Sequence, residues 1–233
     1  GTAATTNPWV SGTPGVATVS NTGLVSAVSA GTSIITYTNN LGCDETITIT
    51  VNDPVTPTFA QVAAICVGGT FALPTNSTNT TPISGTWLPA IDNTTTTTYT
   101  FTPNPVQCAT TATMTVNVYE NPTISGNNSV CVGSTIALSG SGTAATTNPW
   151  VSGTPSVATV SSTGIVTGVS AGTAIITYTN NLGCDETISI TVYANPTISG
   201  TTTLCVGATS PLIGSGTAAT TNPWVSGTPG VAT

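Results

Sequence analysis

Residues 150–178 read WVSGTPSVATVSSTGIVTGVSAGTAIITY. Val157 to Val160 and Ile165 to Val169 are short apolar-polar runs on either side of Ser161-Ser162-Thr163-Gly164. Two β-type runs around a small polar, glycine-ending tetrad predict a hairpin. Ala174 to Thr179 is a further strand, closed by the turn residues Asn180-Asn181-Leu182-Gly183. Thr187 to Val192 alternates strictly, with Ile188, Ile190 and Val192 on one side and hydroxyls on the other. A period of two puts the first set on a core and the second in water. Thr135 to Leu138 and Trp150-Val151 add two more strands. About seven short strands at this spacing, with no sustained helical period, predict an all-β chain of immunoglobulin-like two-sheet sandwiches.

The same material recurs. GTAATTNPWVSGTP begins at Gly1, Gly142 and Gly216, and NPTISG opens at Asn121 and again 74 residues later at Asn195. TYTNNLGCDETITITV at 36–51 matches TYTNNLGCDETISITV at 177–192. Repetition at a fixed period is the mark of stacked modules. The boundaries it sets are 1–52, the later part of one repeat; 53–120, a distinct module; 121–194, a complete repeat; and 195–233, the first part of the next. In the distinct module Ala112, Met114, Val116 and Val118 alternate with polar residues, and Tyr99 and Phe101 share a face of the run from Thr95 to Thr102. The sequence reads as part of a longer array, joined end to end as an extended rod.

Composition narrows function further. The 233 residues include no Lys, Arg or His and seven acidic residues, for a net charge of −7; 55 are Thr. Without a cation the chain cannot neutralise phosphates, which excludes nucleic acid as a partner. No apolar run approaches the ~20 residues that cross a bilayer, so no membrane insertion is expected of this segment. Ser and Thr are plentiful, but no imidazole or amine is present to activate them, so no catalytic residue is expected and the chain does not read as an enzyme. A mean hydropathy of +0.30 with 3% charged residues argues against disorder.

Six cysteines stand at 43, 66, 108, 131, 184 and 205. Their spacing matches no zinc site and no His completes a ligand set, so neither metal nor cofactor is expected. The distinct module and the complete repeat hold two each, which predicts internal bridges Cys66–Cys108 and Cys131–Cys184. Cys43 and Cys205 would then pair with residues outside this stretch or in a neighbouring chain. On a super-period of 215, the counterpart of Cys43 falls at number 258, 53 beyond Cys205, the same spacing as Cys131 to Cys184. Bridges staple modules with small cores and imply an oxidising, extracytoplasmic setting.

Other residues read as structural first. Asp44-Glu45 and Asp185-Glu186 are adjacent on strands and so point to opposite faces. Asp53 and Glu120 lie at module junctions, where calcium is the alternative to simple solvation. Trp9, Trp150 and Trp224 are one position repeated, a core tryptophan or a sugar-stacking one. Asn76, Asn79, Asn93 and Asn127 each open an N-x-S/T triplet.

The run from Trp150 to Tyr178 resembles the bacterial immunoglobulin-like group 2 domain of intimin- and invasin-type adhesins. The distinct module, with Ile65-Cys66, Gly85-Thr86-Trp87 and Thr98 to Pro103, is similar to immunoglobulin-like modules in giant surface proteins of Bacteroidetes. Those include gliding-motility adhesins exported by the type IX system. The resemblance implies a secreted, extracellular cell-surface filament of which this chain is shaft. Its partners would be neighbouring modules or like chains, with surface glycans as a further ligand class. Two alternatives stand beside this: a glycan- or ice-binding face of Trp and Thr residues, and short subunits joined by half-module complementation, with 195–233 of one chain completing the first segment of the next.

Overall fold

The computed structural model describes residues 2–3 and 6–231; Gly1, Ala4, Thr5, Ala232 and Thr233, which belong to the repeated segments, lie outside them. The described residues form strands, turns and loops and contain no helix. They fall into two compact units, Gly1–Tyr119 and Glu120–Thr233.

In the first unit β1 (Trp9–Ser11), β4 (Gly31–Thr38) and β5 (Asp44–Val51) make an antiparallel sheet in the order β1-β4-β5, and β2 (Ala17–Val19) pairs with β3 (Val25–Ala27). Further along, β6 (Ile65–Cys66) runs parallel to β10 (Val118–Tyr119), while β7 (Gly85–Leu88), β8 (Thr97–Pro103) and β9 (Ala112–Val116) form an antiparallel sheet. Tyr99 and Phe101 are both buried, as the alternation of β8 requires. Tyr99, Met114 and Val116 form a core with Phe59, Val62, Phe71, Leu73 and Trp87 against it.

The second unit contains a complete sandwich. One sheet has the order β11 (Ile124–Gly126), β13 (Thr135–Gly140), β16 (Ile165–Gly168), β15 (Ala158–Val160). The other has β12 (Ser129–Cys131), β18 (Asp185–Tyr193), β17 (Gly172–Thr179), β14 (Trp150–Ser152). The predicted hairpin is β15–β16, and β17–β18 turns through Asn180, whose side-chain Oδ1 accepts from the Leu182 and Cys184 amides. Ala174 faces Ile190 and Ile176 faces Ile188 across that pair. Alternation sends these inward with Val130, Leu138, Trp150, Ala158, Val166, Tyr178 and Val192 to form one core. A final hairpin, β19 (Ile198–Gly200) with β20 (Leu212–Gly214), repeats the register of β11–β13.

Residues 9–51 repeat the later strands of this sandwich without a counterpart of β11 to β13. The consequence is an open core: Ile47 is 58% exposed, whereas its counterpart Ile188 packs against the core of the complete unit. The opposite part is open at the other end of the chain, where Leu212 is 49% exposed and its counterpart Leu138 only 3%.

Candidate functional site

The aromatic positions are walls of the core. Trp150 is 7% exposed and its ring lies 4.6 Å from that of Tyr178, at 42°. Gly164, at φ +84°, closes over the indole: a Cβ there would lie 3.1 Å from Trp150 Cε2. Trp9 and Tyr37 repeat the pair at 4.6 Å. Trp87 donates its Nε1–H to the Pro74 carbonyl at 2.8 Å and packs 4.8 Å from Phe59. A buried indole offers no face to a sugar. Trp224 is half exposed, on a segment that lacks the strands which cover Trp150.

Polar groups are spent locally. Among the described residues every buried side-chain nitrogen and oxygen has a hydrogen-bond partner, and no three acidic or thiol side chains gather as a cation site. Asp44, Glu45, Asp53, Glu120, Asp185 and Glu186 are exposed. Asp92 caps the approach to β8. Its carboxylate accepts from the Thr94 amide at 2.8 Å, the Thr94 hydroxyl at 2.6 Å and the Thr95 hydroxyl at 2.9 Å. These bonds, the Thr94 hydroxyl first, lower its pKa to about 2. Two of the four N-x-S/T asparagines have engaged amides: Asn79 Nδ2 donates to the Thr56 carbonyl and Asn93 Nδ2 to that of Gly69. The surface depressions are shallow; Thr123, Ile124, Glu186, Thr187 and Ile188 line one of them. No described helix is long and apolar enough to cross a membrane.

The cysteines are where sequence and structure part. Cys66 and Cys184 are disulfide-bonded, while Cys43, Cys108, Cys131 and Cys205 are free. The internal pairs Cys66–Cys108 and Cys131–Cys184 are therefore not formed. Strand geometry gives the reason. Cys131 lies beside Tyr193 in the parallel β12–β18 register, and Cys184 immediately precedes β18 at its other end. Nine residues of strand at ~3.3 Å each separate the two by ~30 Å, whereas a bridge needs Cα atoms within ~7 Å. Cys66 likewise lies beside Tyr119, with β9 and β10 between that end and Cys108.

Cys131 and Cys184 thus lie at opposite ends of β18, and Cys66 and Cys108 at opposite ends of the run from β9 to β10. Cys66, Cys131 and Cys205 each start a Cys-Val-Gly turn, whose glycines take φ of +82°, +81° and +87°. In two of them this turn sits beside the end of a later strand: the Val67 amide donates to the Tyr119 carbonyl and the Val132 amide to that of Tyr193. Asn195, just past Tyr193, donates its Nδ2 to the Val132 carbonyl. Cys43, Cys108 and Cys184 instead precede β5, β9 and β18. Thr123 and Ile124 share a depression with the first residues of β18, and Val55 donates its amide to the Cys108 carbonyl. The shared Cys-Val-Gly triplet was the available sequence signal. It groups the cysteines by position in the module, which spacing alone does not.

No known protein-family profile matches the chain, and no curated protein does. Solved structures similar to it include an intimin mutant from EHEC O157:H7, at 22% identity over 35% of this chain and 50% of that one, with a TM-score of 0.27. The surface layer protein SbsC, domains 1–6, is 17% identical over 79% of this chain and 35% of that one, TM-score 0.26. A C-terminal 282-residue intimin fragment in complex with the translocated intimin receptor's intimin-binding domain is 16% identical over 72% and 59%, TM-score 0.32. The chain spans half or less of the length of the first two. Its fold is all-β and immunoglobulin-like.

Proposed function

We propose that the chain is shaft: a series of immunoglobulin-like modules, bounded at 52/53, 120/121 and 194/195, that spaces and holds other parts of an extracellular cell-surface filament. The observation that carries this reading is the closed sandwich of residues 121–194. Its conserved-by-repetition tryptophan is sealed against Tyr178, its buried polar atoms are all bonded, and the same sequence recurs on either side. A surface of Thr, Ser and Asn with no cationic side chain fits a role in which water, not a ligand, covers the strands. It also leaves no site for trypsin-like proteases, an advantage outside a cell. The reading is structural and not catalytic. The resemblance of residues 150–178 to adhesin repeats supports a bacterial surface, and that of the distinct module supports a gliding-type adhesin exported by the type IX route.

Arrays of one, two and four copies of the 215-residue period test the proposal. Small-angle scattering should give a maximum dimension that rises in proportion to module number. A dimension that grows only as the cube root of mass, as for a compact body, would overturn it.

A further inference from the structure

We propose that Asn127 is an N-glycosylation site of this chain, taking its sugar from a nucleotide-activated hexose donor, and that the attached sugar guards the two sheet edges that Asn127 links. The N-x-S/T triplet is the acceptor pattern for such transfer: the asparagine amide is the nucleophile, and the hydroxyl two residues on is the group the transferase reads. Triplets begin at Asn76, Asn79, Asn93 and Asn127. A folded chain offers one only where both groups are accessible and unspent.

The first three fail that condition. Asn79 spends both ends of its amide: Nδ2 donates to the Thr56 carbonyl at 3.2 Å, and Oδ1 accepts from the Thr58 amide at 3.0 Å. Asn93 Nδ2 donates to the Gly69 carbonyl at 3.1 Å, and the hydroxyl of its triplet, on Thr95, donates to the Asp92 carboxylate at 2.9 Å. The Asn76 triplet is pinned at its other two residues. Ser77 is buried and its Oγ accepts from the Ile83 amide, while the Thr78 hydroxyl donates to the Thr58 carbonyl at 3.0 Å.

Asn127 differs on each count. It is exposed, and neither its amide nor the Ser129 hydroxyl bonds to another described residue. The backbone on either side of it is held. Gly126 pairs with Leu138 at the end of β11, and the Asn128 carbonyl accepts from the Thr191 amide at 2.9 Å where β12 begins. The side chain is therefore presented to solvent from a fixed connection. The corresponding triplet of the next repeat reads Thr201-Thr202-Thr203, so the site belongs to residues 121–194 and not to both copies.

The position gives the sugar a role. β11 is the edge of one sheet and β12 the edge of the other. Unpaired edge groups are a template for pairing with other chains, and proteins commonly guard them with charge, above all lysine. β11 and β12 carry no charged residue, and the chain has no lysine at all. A hydrated sugar on the connection between them obstructs approach to both edges.

The transfer balances without a redox change. Asn127 Nδ2 forms a bond to the anomeric carbon, and the anomeric C–O bond breaks with its electron pair on the departing nucleoside diphosphate. One amide proton passes to a base of the transferase.

The test uses the folded 233-residue chain with UDP-glucose and a soluble N-glycosyltransferase chosen because it accepts peptides covering each of the triplets. After reduction, cleavage after Glu45, Glu120 and Glu186 puts Asn76, Asn79 and Asn93 in fragment 46–120 and Asn127 in fragment 121–186. The expected mass change is one hexose on fragment 121–186, lost in Asn127→Gln and in Ser129→Ala. Hexose on fragment 46–120, or none on 121–186, would overturn the assignment. In light scattering the glucosylated chain should stay monomeric to a higher concentration than the unmodified one. Asn127→Lys, which puts a charge at the same point, should do likewise. Identical self-association of all three would defeat the role as edge guard.

Discussion

Trp150 and Tyr178 face each other in the β14–β17 register, with ring centroids 4.6 Å apart, and together they plug one end of the sandwich. The pair explains why one tryptophan position recurs through the chain with a tyrosine 28 residues after it, at Trp9 and Tyr37 as well. Offset and tilted aromatic contacts add to the area they bury.

Replacing the two exposures of this position separates packing from any binding role. Trp150→Ala should cost ~3–5 kcal/mol, as for other buried large-to-small changes. Trp224→Ala, at a half-exposed copy, should change stability by about 0.5 kcal/mol or less. Urea unfolding of the two variants, followed by circular dichroism, measures both. Equal effects would contradict the packing role.

Gly140 is a packing glycine, adopted for room and not for its dihedral angle. A Cβ on it would lie 2.3 Å from Tyr178 Cε1. Gly140→Ala must therefore displace the ring that covers Trp150, and should lower stability by ~1–3 kcal/mol. Gly153→Ala, whose Cβ would meet nothing nearer than the Ile175 carbonyl at 3.5 Å, is the control and should be close to neutral. Thermal melts of the pair provide the comparison.

Acid should loosen the turn before β8. The Thr94 and Thr95 hydrogen bonds hold the Asp92 pKa at about 2, below its ordinary 3.8. A carboxylate with a depressed folded-state pKa stabilises the fold fully above its unfolded pKa and loses that contribution as pH falls through the folded value. Relative to Asp92→Asn, the native chain should therefore be more stable at neutral pH, with the difference closing between about pH 4 and pH 2. Unfolding curves at pH 7, 4, 3 and 2 follow it, and carboxyl resonances read the Asp92 midpoint directly. A midpoint near 4 would contradict the role given to the two threonines.

Much of the fold was legible in the chain. The β15–β16 hairpin, the turn at Asn180 and the inward set Ile188, Ile190 and Val192 all follow from alternation and turn residues. So do the burial of Tyr99 and Phe101 and the absence of a described helix. The parallel pairs β6–β10 and β12–β18 were not legible, because a two- or three-residue strand carries too little pattern to reveal its partner. The bridges expected within modules failed for the same reason.

Composition, periodicity and repetition by themselves determined that this is a β chain built from copies of one unit and one distinct segment, because side-chain alternation and turn chemistry are local and survive in the sequence. Which cysteines share an end was decided only by the tertiary structure. Strand direction and register convert a separation along the chain into a distance in space, and the final strand of a module carries Cys184 ~30 Å from Cys131 however the intervening residues are counted.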